Sequence, residues 1–336
     1  AWGAAGAGGV GGVGGARGVP RLCARWGMGP VVELPCARLK AYGVAFRVLE
    51  RGGRGEWFLN YRGGSFLLPS DPTVTRDAAL AGVRCEPLDE GALLQIRAEI
   101  AQGNMDAIPL EKVPKVAVYA PPNAQPWDDA VTMVLQYAGI SFDKVWDTEV
   151  LAKGLTKYDW LHLHHEDFTG QYSKFFLNYA GAPWLADMVD RNTRVSKSFG
   201  SPSVPAEKRA VAQTIAGFVE KGGFLFAMCT ATETLDLALA SQNVDIAANY
   251  ADGTPMDPDA TAKMDWSRAL AFQNARLELS PTVPDFSDID GHQLNTADRR
   301  QPLGAFPLFN FSAQVDPVAP LLVQNTPDVI PHLSGP

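Results

Sequence analysis

Long apolar runs are missing from this chain of 336 residues, and no stretch approaches the roughly 18–20 residues that a helix needs to cross a bilayer. Positive charge is also in short supply. Lys and Arg number 29 against 37 Asp and Glu, giving a net charge of −8, without the clustered cations that binding to phosphate backbones requires. Neither a membrane nor a nucleic acid is therefore expected as a partner. Cysteine is scarce: Cys23, Cys36, Cys85 and Cys229 are the only four. They form no CxxC pair and fall far short of a disulfide scaffold, so reduced thiols and a cytoplasmic location are expected. Histidine numbers five, yet three of these, His162, His164 and His165, fall within four residues.

What is present is enough for a sizeable core. Apolar residues make up 46% and charged residues 20% of the chain, which places it among globular proteins of one large or two modest domains. The opening "AWGAAGAGGVGGVGGARGVP" is a Gly/Ala/Val tract without the basic start and longer aliphatic stretch of a signal peptide. Within it, Gly6-Ala7-Gly8-Gly9-Val10-Gly11 is formally a GxGxxG. No strand precedes it, and a glycine tract matches that pattern by chance. No dinucleotide, and no other cofactor, is called for. Residues 1–38 are expected to be disordered or artefactual, residues 39–112 to form a small α/β unit or an extension of the main sheet, residues 113–312 to form the main α/β domain and residues 313–336 a tail.

From Pro114 onward, short apolar strands alternate with amphipathic helices. "KVAVYA", "FDKVWD", "YDWLHLH" and "FLFAM" read as strands; "DDAVTMVLQYAG", "AEKRAVAQTIAGFVEKGG" and the segment after Cys229 read as helices. Two acidic residues open the first helix, where they oppose the positive end of its dipole. The alternation predicts an α/β fold: a three-layer, mainly parallel sheet covered on both sides.

Chemistry concentrates at two strand ends. Thr230-Ala231-Thr232-Glu233 fits a capping box, which places Cys229 directly before a helix, where unpaired amides favour a thiolate and can hold an oxyanion. Thr230 and Ala231 are the expected oxyanion donors. If the strand ending "HLHHEDF" lies beside the one ending at Cys229, His165 or His164 can take the thiol proton while Glu166, Asp167 or Glu233 orients it. A buried cysteine used as a small apolar residue is the plainer alternative. The histidines also admit a metal reading: His162, His164 and a carboxylate suit zinc or manganese, although HExxH is absent. "NYRGGSF" offers Arg62, Gly63 and Gly64 as an anion cradle, or simply a tight connection that needs glycine. Trp127, Trp160 and Trp184 either line a pocket or pack in the core. The carboxylate-rich "YADGTPMDPDA" and "FSDIDGH" lack the calcium-loop pattern and read as solvated loops.

The segments "KVAVYAPP", "YDWLHLHHEDFTGQY" and "GGFLFAMCTATE" resemble the class I glutamine-amidotransferase-like superfamily, a flavodoxin-like fold. More narrowly, "LKAYG", "LNYRGGSF", "PWDDAV", "WLHLHHEDFTGQY" and "GGFLFAMC" resemble an uncharacterised bacterial family often labelled asparagine synthetase B, over residues 39 to about 325. The resemblance implies a cysteine nucleophile at Cys229 and hydrolase or amidase chemistry on a small amide or ester. It does not extend to ATP-dependent asparagine synthesis, because the chain starts with Ala1 and has no SGGxDS loop. The usual G-x-C-x-G elbow is here Ala227-Met228-Cys229-Thr230-Ala231, and the downstream H-x-E is reduced to His292-Gln293-Leu294. The alternatives are a non-catalytic binding or structural module of the same fold, and a metal-dependent enzyme built on the His162–Asp167 cluster.

Overall fold

A computed structural model describes residues 21–23, 36–103, 105–124, 129–280, 283 and 285–289. The chain divides into two compact units, one reaching Val113 and taking in Tyr137–Ile140, the other running from Pro114 to Gln136 and from Ser141 onward.

The first unit is built on strands β1 (Arg21–Cys23), β2 (Gly55–Leu59), β3 (Ser65–Leu68), β4 (Cys85–Pro87) and β5 (Asp106–Leu110). They form a sheet of their own in the order β4-β1-β3-β2-β5, with every pairing antiparallel. Its helices are α1 (Cys36–Glu50), α2 (Pro72–Leu80) and α3 (Glu90–Gln102). Ala41, Val44, Ala45 and Val48 recur at helical spacing on α1 and pack with Phe66, Leu68 and Val74. Leu67 points the other way, into a cluster with Phe58, Ile96 and Ile100, as strand alternation requires. The sheet is thus a separate layer and not an extension of a parallel one. β1 and the start of α1 lie within the segment expected to be disordered; the rest of residues 1–38 lies outside the described residues, as does 313–336. Cys23 sits opposite Cys85 in the β1–β4 register, and Cys85 is disulfide-bonded, which corrects the expectation of reduced thiols throughout.

The second unit is α/β with a parallel sheet. Its strands are β6 (Val116–Tyr119), β7 (Phe142–Val145), β8 (Trp160–Leu163) and β9 (Phe224–Ala227). The main helices are α4 (Ala130–Ala138, all but its last two residues in this unit), α5 (Asp147–Lys153), α7 (Pro183–Ser198), α8 (Val204–Glu220) and α9 (Thr230–Ala240), with a four-residue α6 (Phe176–Tyr179) between α5 and α7. Strand order is β7-β6-β8-β9, all parallel. Chain order therefore reverses between β6 and β8, and in open α/β sheets the crevice beyond such a reversal is where ligands bind.

One face of this sheet is fully packed: Ala117, Tyr119, Leu161 and Leu163 meet Val150 of α5, Val211 and Ile215 of α8 and Leu235 of α9. Val118 and His162 are buried on the opposite face, but Phe224 and Phe226 of the edge strand β9 remain 54% and 44% exposed. Among the described residues, cover on both sides, expected from the alternation, thus stops short of β9. No helix of the described residues is long and apolar enough to cross a membrane.

Candidate active site

β9 ends at Ala227 and α9 begins at Thr230, so Met228 and Cys229 make the turn between them. The Cys229 backbone sits at φ 51°, ψ −140°, a region that L-residues avoid and that is tolerated where surrounding structure holds it in place. Ala227 and Ala231, two residues to either side, are small enough to pack here in place of the usual glycines, and Ala231 has no exposed surface. The resulting strand–turn–helix corner is the geometry that presents a nucleophile above a parallel sheet. Cys229 is exposed, and among the described residues its sulfur has one polar neighbour, Thr230 Oγ1 at 3.8 Å.

The corner differs from the expected capping box. Cys229 itself occupies the cap position and its side chain caps nothing. Glu233 is buried and turned away, accepting from Ser287 Oγ at 2.6 Å and from the Phe286 N–H at 3.4 Å. It ties α9 to the chain at Phe286–Ser287. Of the two expected oxyanion donors, the Ala231 N–H is spent on the His164 carbonyl at 3.0 Å. The Thr230 N–H meets no acceptor among the described residues, leaving it available to an incoming oxyanion.

The histidines stand beside this corner because β8 and β9 are neighbours, with Leu163 opposite Ala227. The Met228 N–H donates to the Leu163 carbonyl at 3.0 Å, which continues the ladder past the strand ends. Alternation sets His162 apart, but His164 and His165 stack on each other. His165 is exposed and lies flat against His164, with ring centroids 3.6 Å apart. His164 Nδ1 is 3.0 Å from Asp129 Oδ1. His162 is fully buried behind it, stacked on Phe226 at 5.7 Å, so that it does not reach substrate in the weak substrate-contact role that its place in "HLHH" suggests. Burial pushes the His162 pKa below the usual histidine value, Asp129 offsetting part of the effect. Burial also opposes ionisation of Asp129, but the Val131 N–H and His164 outweigh it and lower the pKa.

Glu166 does not pair with an imidazole. Its Oε2 accepts from the His164 backbone N–H at 2.7 Å, bracing the end of β8, and burial raises its pKa to about 7 against the pull of that N–H. Asp167 is spent on a turn: it accepts from Thr169 N–H and Ser173 N–H, both at 2.8 Å. That turn holds Tyr172, Ser173 and Lys174 at positive φ of 54°, 52° and 55°. Three such residues in succession are costly, and Lys174 helps to fix them by donating to the carbonyls of Asp285 and Glu278 at 2.6 and 2.8 Å.

His165, Glu166 and Thr230 all face a cavity of about 530 Å³, a size suited to a small molecule. Its far wall includes Arg191 and Asn192 of α7 and Lys208 of α8. Asn192 Oδ1 is buried without a hydrogen-bond partner, whereas Lys208 is held by Asp147 at 2.6 Å. Arg62, Gly63 and Gly64 belong to the first unit, where Gly64 at φ 95° closes a short 3-10 turn and Arg62 lies over the Tyr61 ring. Trp127 and His292 lie outside the described residues.

Sequence reasoning took Asp129 only as a complement to the helix dipole and overlooked its side-chain role. The available signal was the acidic pair "DD" at a helix start in a chain whose histidines end the next-but-one strand. No protein-family model matches this chain, and searches of curated proteins and of solved structures find no match.

Proposed function

We propose that the second unit is a cysteine-dependent hydrolase of the glutamine-amidotransferase-like type, acting on a small amide or ester. The observation that carries this reading is the backbone of Cys229, held at φ 51° with its thiol exposed and the following N–H unspent. Strain of this kind persists where it serves a site. His165 takes the thiol proton, and the thiolate adds to the substrate carbonyl carbon while its oxygen is held by the Thr230 N–H. Collapse of the tetrahedral species breaks the bond to the amine or alcohol, which leaves with the proton from His165. Water then attacks the thioester, releasing the acid and restoring the thiol. Glu166 supports the step indirectly, by fixing the backbone that aims His165. No cofactor enters this scheme, and asparagine synthesis from ATP is not part of it. The disulfide at Cys85 suits an oxidising compartment better than the cytoplasm.

p-Nitrophenyl acetate tests this without knowledge of the natural substrate. Acylation of Cys229 gives a burst of p-nitrophenol that Cys229→Ala abolishes. His165→Ala slows the burst by about 10²-fold or more, as loss of a general base does. Thr230→Pro removes the oxyanion donor at a helix position where proline is tolerated, at a cost of about 10²–10³ in rate. An undiminished burst in Cys229→Ala overturns the proposal. So does iodoacetamide labelling of Cys229 no faster than that of a free peptide thiol, a result that favours a binding module without chemistry.

A further inference from the structure

We propose that Asp129, His162 and His164 form a site for one divalent first-row transition ion of the zinc class. One donor atom from each residue lies within 4.8 Å of the other two. Asp129 Oδ1 is 3.0 Å from His164 Nδ1, and Asp129 Oδ2 is 3.9 Å from His162 Nε2. Ion-to-donor distances of about 2.0–2.2 Å put neighbouring donors roughly 3–3.5 Å apart, so the cluster needs displacements of less than about 1 Å to close on an ion.

A purely structural account explains only part of this. Asp129 caps α4 through the Val131 N–H at 2.7 Å, and a hydrogen bond from His164 to that carboxylate needs no metal. His162 does not fit such an account. It has no exposed surface, and among the described residues neither ring nitrogen makes a hydrogen bond of good geometry, the Phe226 backbone giving it only a weak polar contact. A buried polar group left unpaired is costly, and an ion shared with Asp129 and His164 gives Nε2 a partner.

Three further features agree. The cluster lies at the carboxyl-end side of β6 and β8, where chain order reverses: His162 is the third residue of β8, and His164 and Asp129 follow the ends of β8 and β6. The Asp129 carboxylate is already oriented, by the Val131 N–H and by Thr132 Oγ1 at 3.2 Å, as ligating carboxylates are. Two imidazoles with one carboxylate select zinc, iron or their neighbours over calcium and magnesium, which take oxygen ligands. With three protein ligands, a tetrahedral ion keeps one position open to water or substrate. This site does not rest on the hydrolase reading, since Cys229 is not among its ligands.

The test is cobalt(II) titration of the full chain, stripped of metal and carrying no affinity tag, followed by zinc competition against a chromophoric chelator. One equivalent of cobalt should give visible d–d bands without a sulfur charge-transfer band, and zinc should displace it. Asp129→Asn and His162→Gln should each weaken zinc by about 100-fold or more, given that even outer partners of a ligand contribute 10–100-fold. Far-UV circular dichroism checks folding. Because Asn still caps a helix, Asp129→Asn keeps the test decisive if the buried His162 variant fails to fold. Cys229→Ala should bind as the unaltered protein does, so the failure of one proposal is distinguishable from that of the other. Absence of d–d bands, unchanged affinity in Asp129→Asn, or a sulfur charge-transfer band from Cys229 overturns the assignment.

Discussion

The two units solve the same packing problem with different materials. Each buries a sheet under helices, yet among the described residues the only fully buried polar side chain in the first unit is Ser65, whose hydroxyl is satisfied by the Tyr61 carbonyl at 3.1 Å. The second unit buries Asp129, Asp147, His162, Lys174, Glu207, Lys208, Glu233 and Asp236. Some of these carry their own compensation, as Asp236 does by accepting three backbone N–H groups from Leu270, Ala271 and Phe272, each at 2.8 Å. Others do not: among the described residues, His162 and Glu207 have buried atoms without a hydrogen bond of good geometry. A hydrophobic core needs none of this, and replacing a buried ion pair by apolar residues often leaves stability unchanged or raises it. The first unit is what packing alone produces. The second buries charged side chains that packing alone does not require, several of them near Cys229 and the imidazoles.

The sharpest way to break this contrast is to remove one member of the Lys208–Asp147 pair. Both side chains are almost wholly buried, 2.6 Å apart, with Tyr119 OH bonded to Asp147 and the lysine 4.2 Å from the Trp146 ring centre. Lys208→Ala leaves the Asp147 carboxylate buried without its cation and should destabilise the second unit by about 3–5 kcal/mol. Lys208→Met with Asp147→Leu should recover most of that loss. Urea unfolding followed by fluorescence reads both. A matching change in the first unit, Ser65→Ala, should cost only about 1 kcal/mol. Equal losses at the two positions would mean that the buried charges of the second unit carry no special penalty.

How much of this was legible in the sequence follows from the same contrast. β6, β8 and β9 were readable because strands of a parallel sheet are short apolar runs bounded by turns, and the corner at Cys229 was readable from its placement between such a run and a helix. The strands of the first unit were mostly missed. β1 and β4 have three residues each, too few for a period, and β1 follows directly on a glycine-rich tract. Helix α7 escaped notice although Leu185, Asn192 and Ser196 define its inner face, because two of those three are polar. Glu233 matched a capping box by spacing alone, and only the position of Ser287, 54 residues further on, shows why it turned elsewhere. Long-range partners leave no local pattern. The same is true of Asp129 and its two histidines.

A smaller effect, but one with a distinctive pH signature, is expected at Glu207. Burial raises its pKa to about 7 from an ordinary 4.5, with Lys208 offsetting part of the shift, and both oxygens lack partners among the described residues. A carboxylic acid whose pKa is higher in the folded state binds more protons folded than unfolded across that interval. Stability must therefore fall as pH rises from about 4.5 to about 7 and then level off, by about 1.4 kcal/mol per pH unit at most. Glu207→Gln carries no titrating group, so it should match the unaltered protein near pH 5 and exceed it by about 2–3 kcal/mol at pH 8. Urea midpoints at the two pH values decide this. A constant difference between the proteins at both would show that Glu207 is ionised in the folded state throughout.

The smallest effect sharpens the comparison from the other side, by asking where the units should behave alike. Helix caps are local and indifferent to what the core contains. Asp89 opens α3 in the first unit, its Oδ1 accepting from the Ala92 N–H at 2.7 Å. Ser203 opens α8 in the second, its Oγ accepting from the Ala206 N–H at 3.3 Å. Each cap relieves one of the orphan donors at a helix start, and each change to Ala should cost about 1 kcal/mol. The longer bond at Ser203 puts its cost at the lower end. Thermal or urea unfolding of Asp89→Ala and Ser203→Ala should thus give similar losses despite the different surroundings. A loss at Ser203 several times that at Asp89 would mean that α8, which carries Glu207 and Lys208, transmits the strain of its buried charges to its own first turn, and the division between local and core effects drawn above would fail.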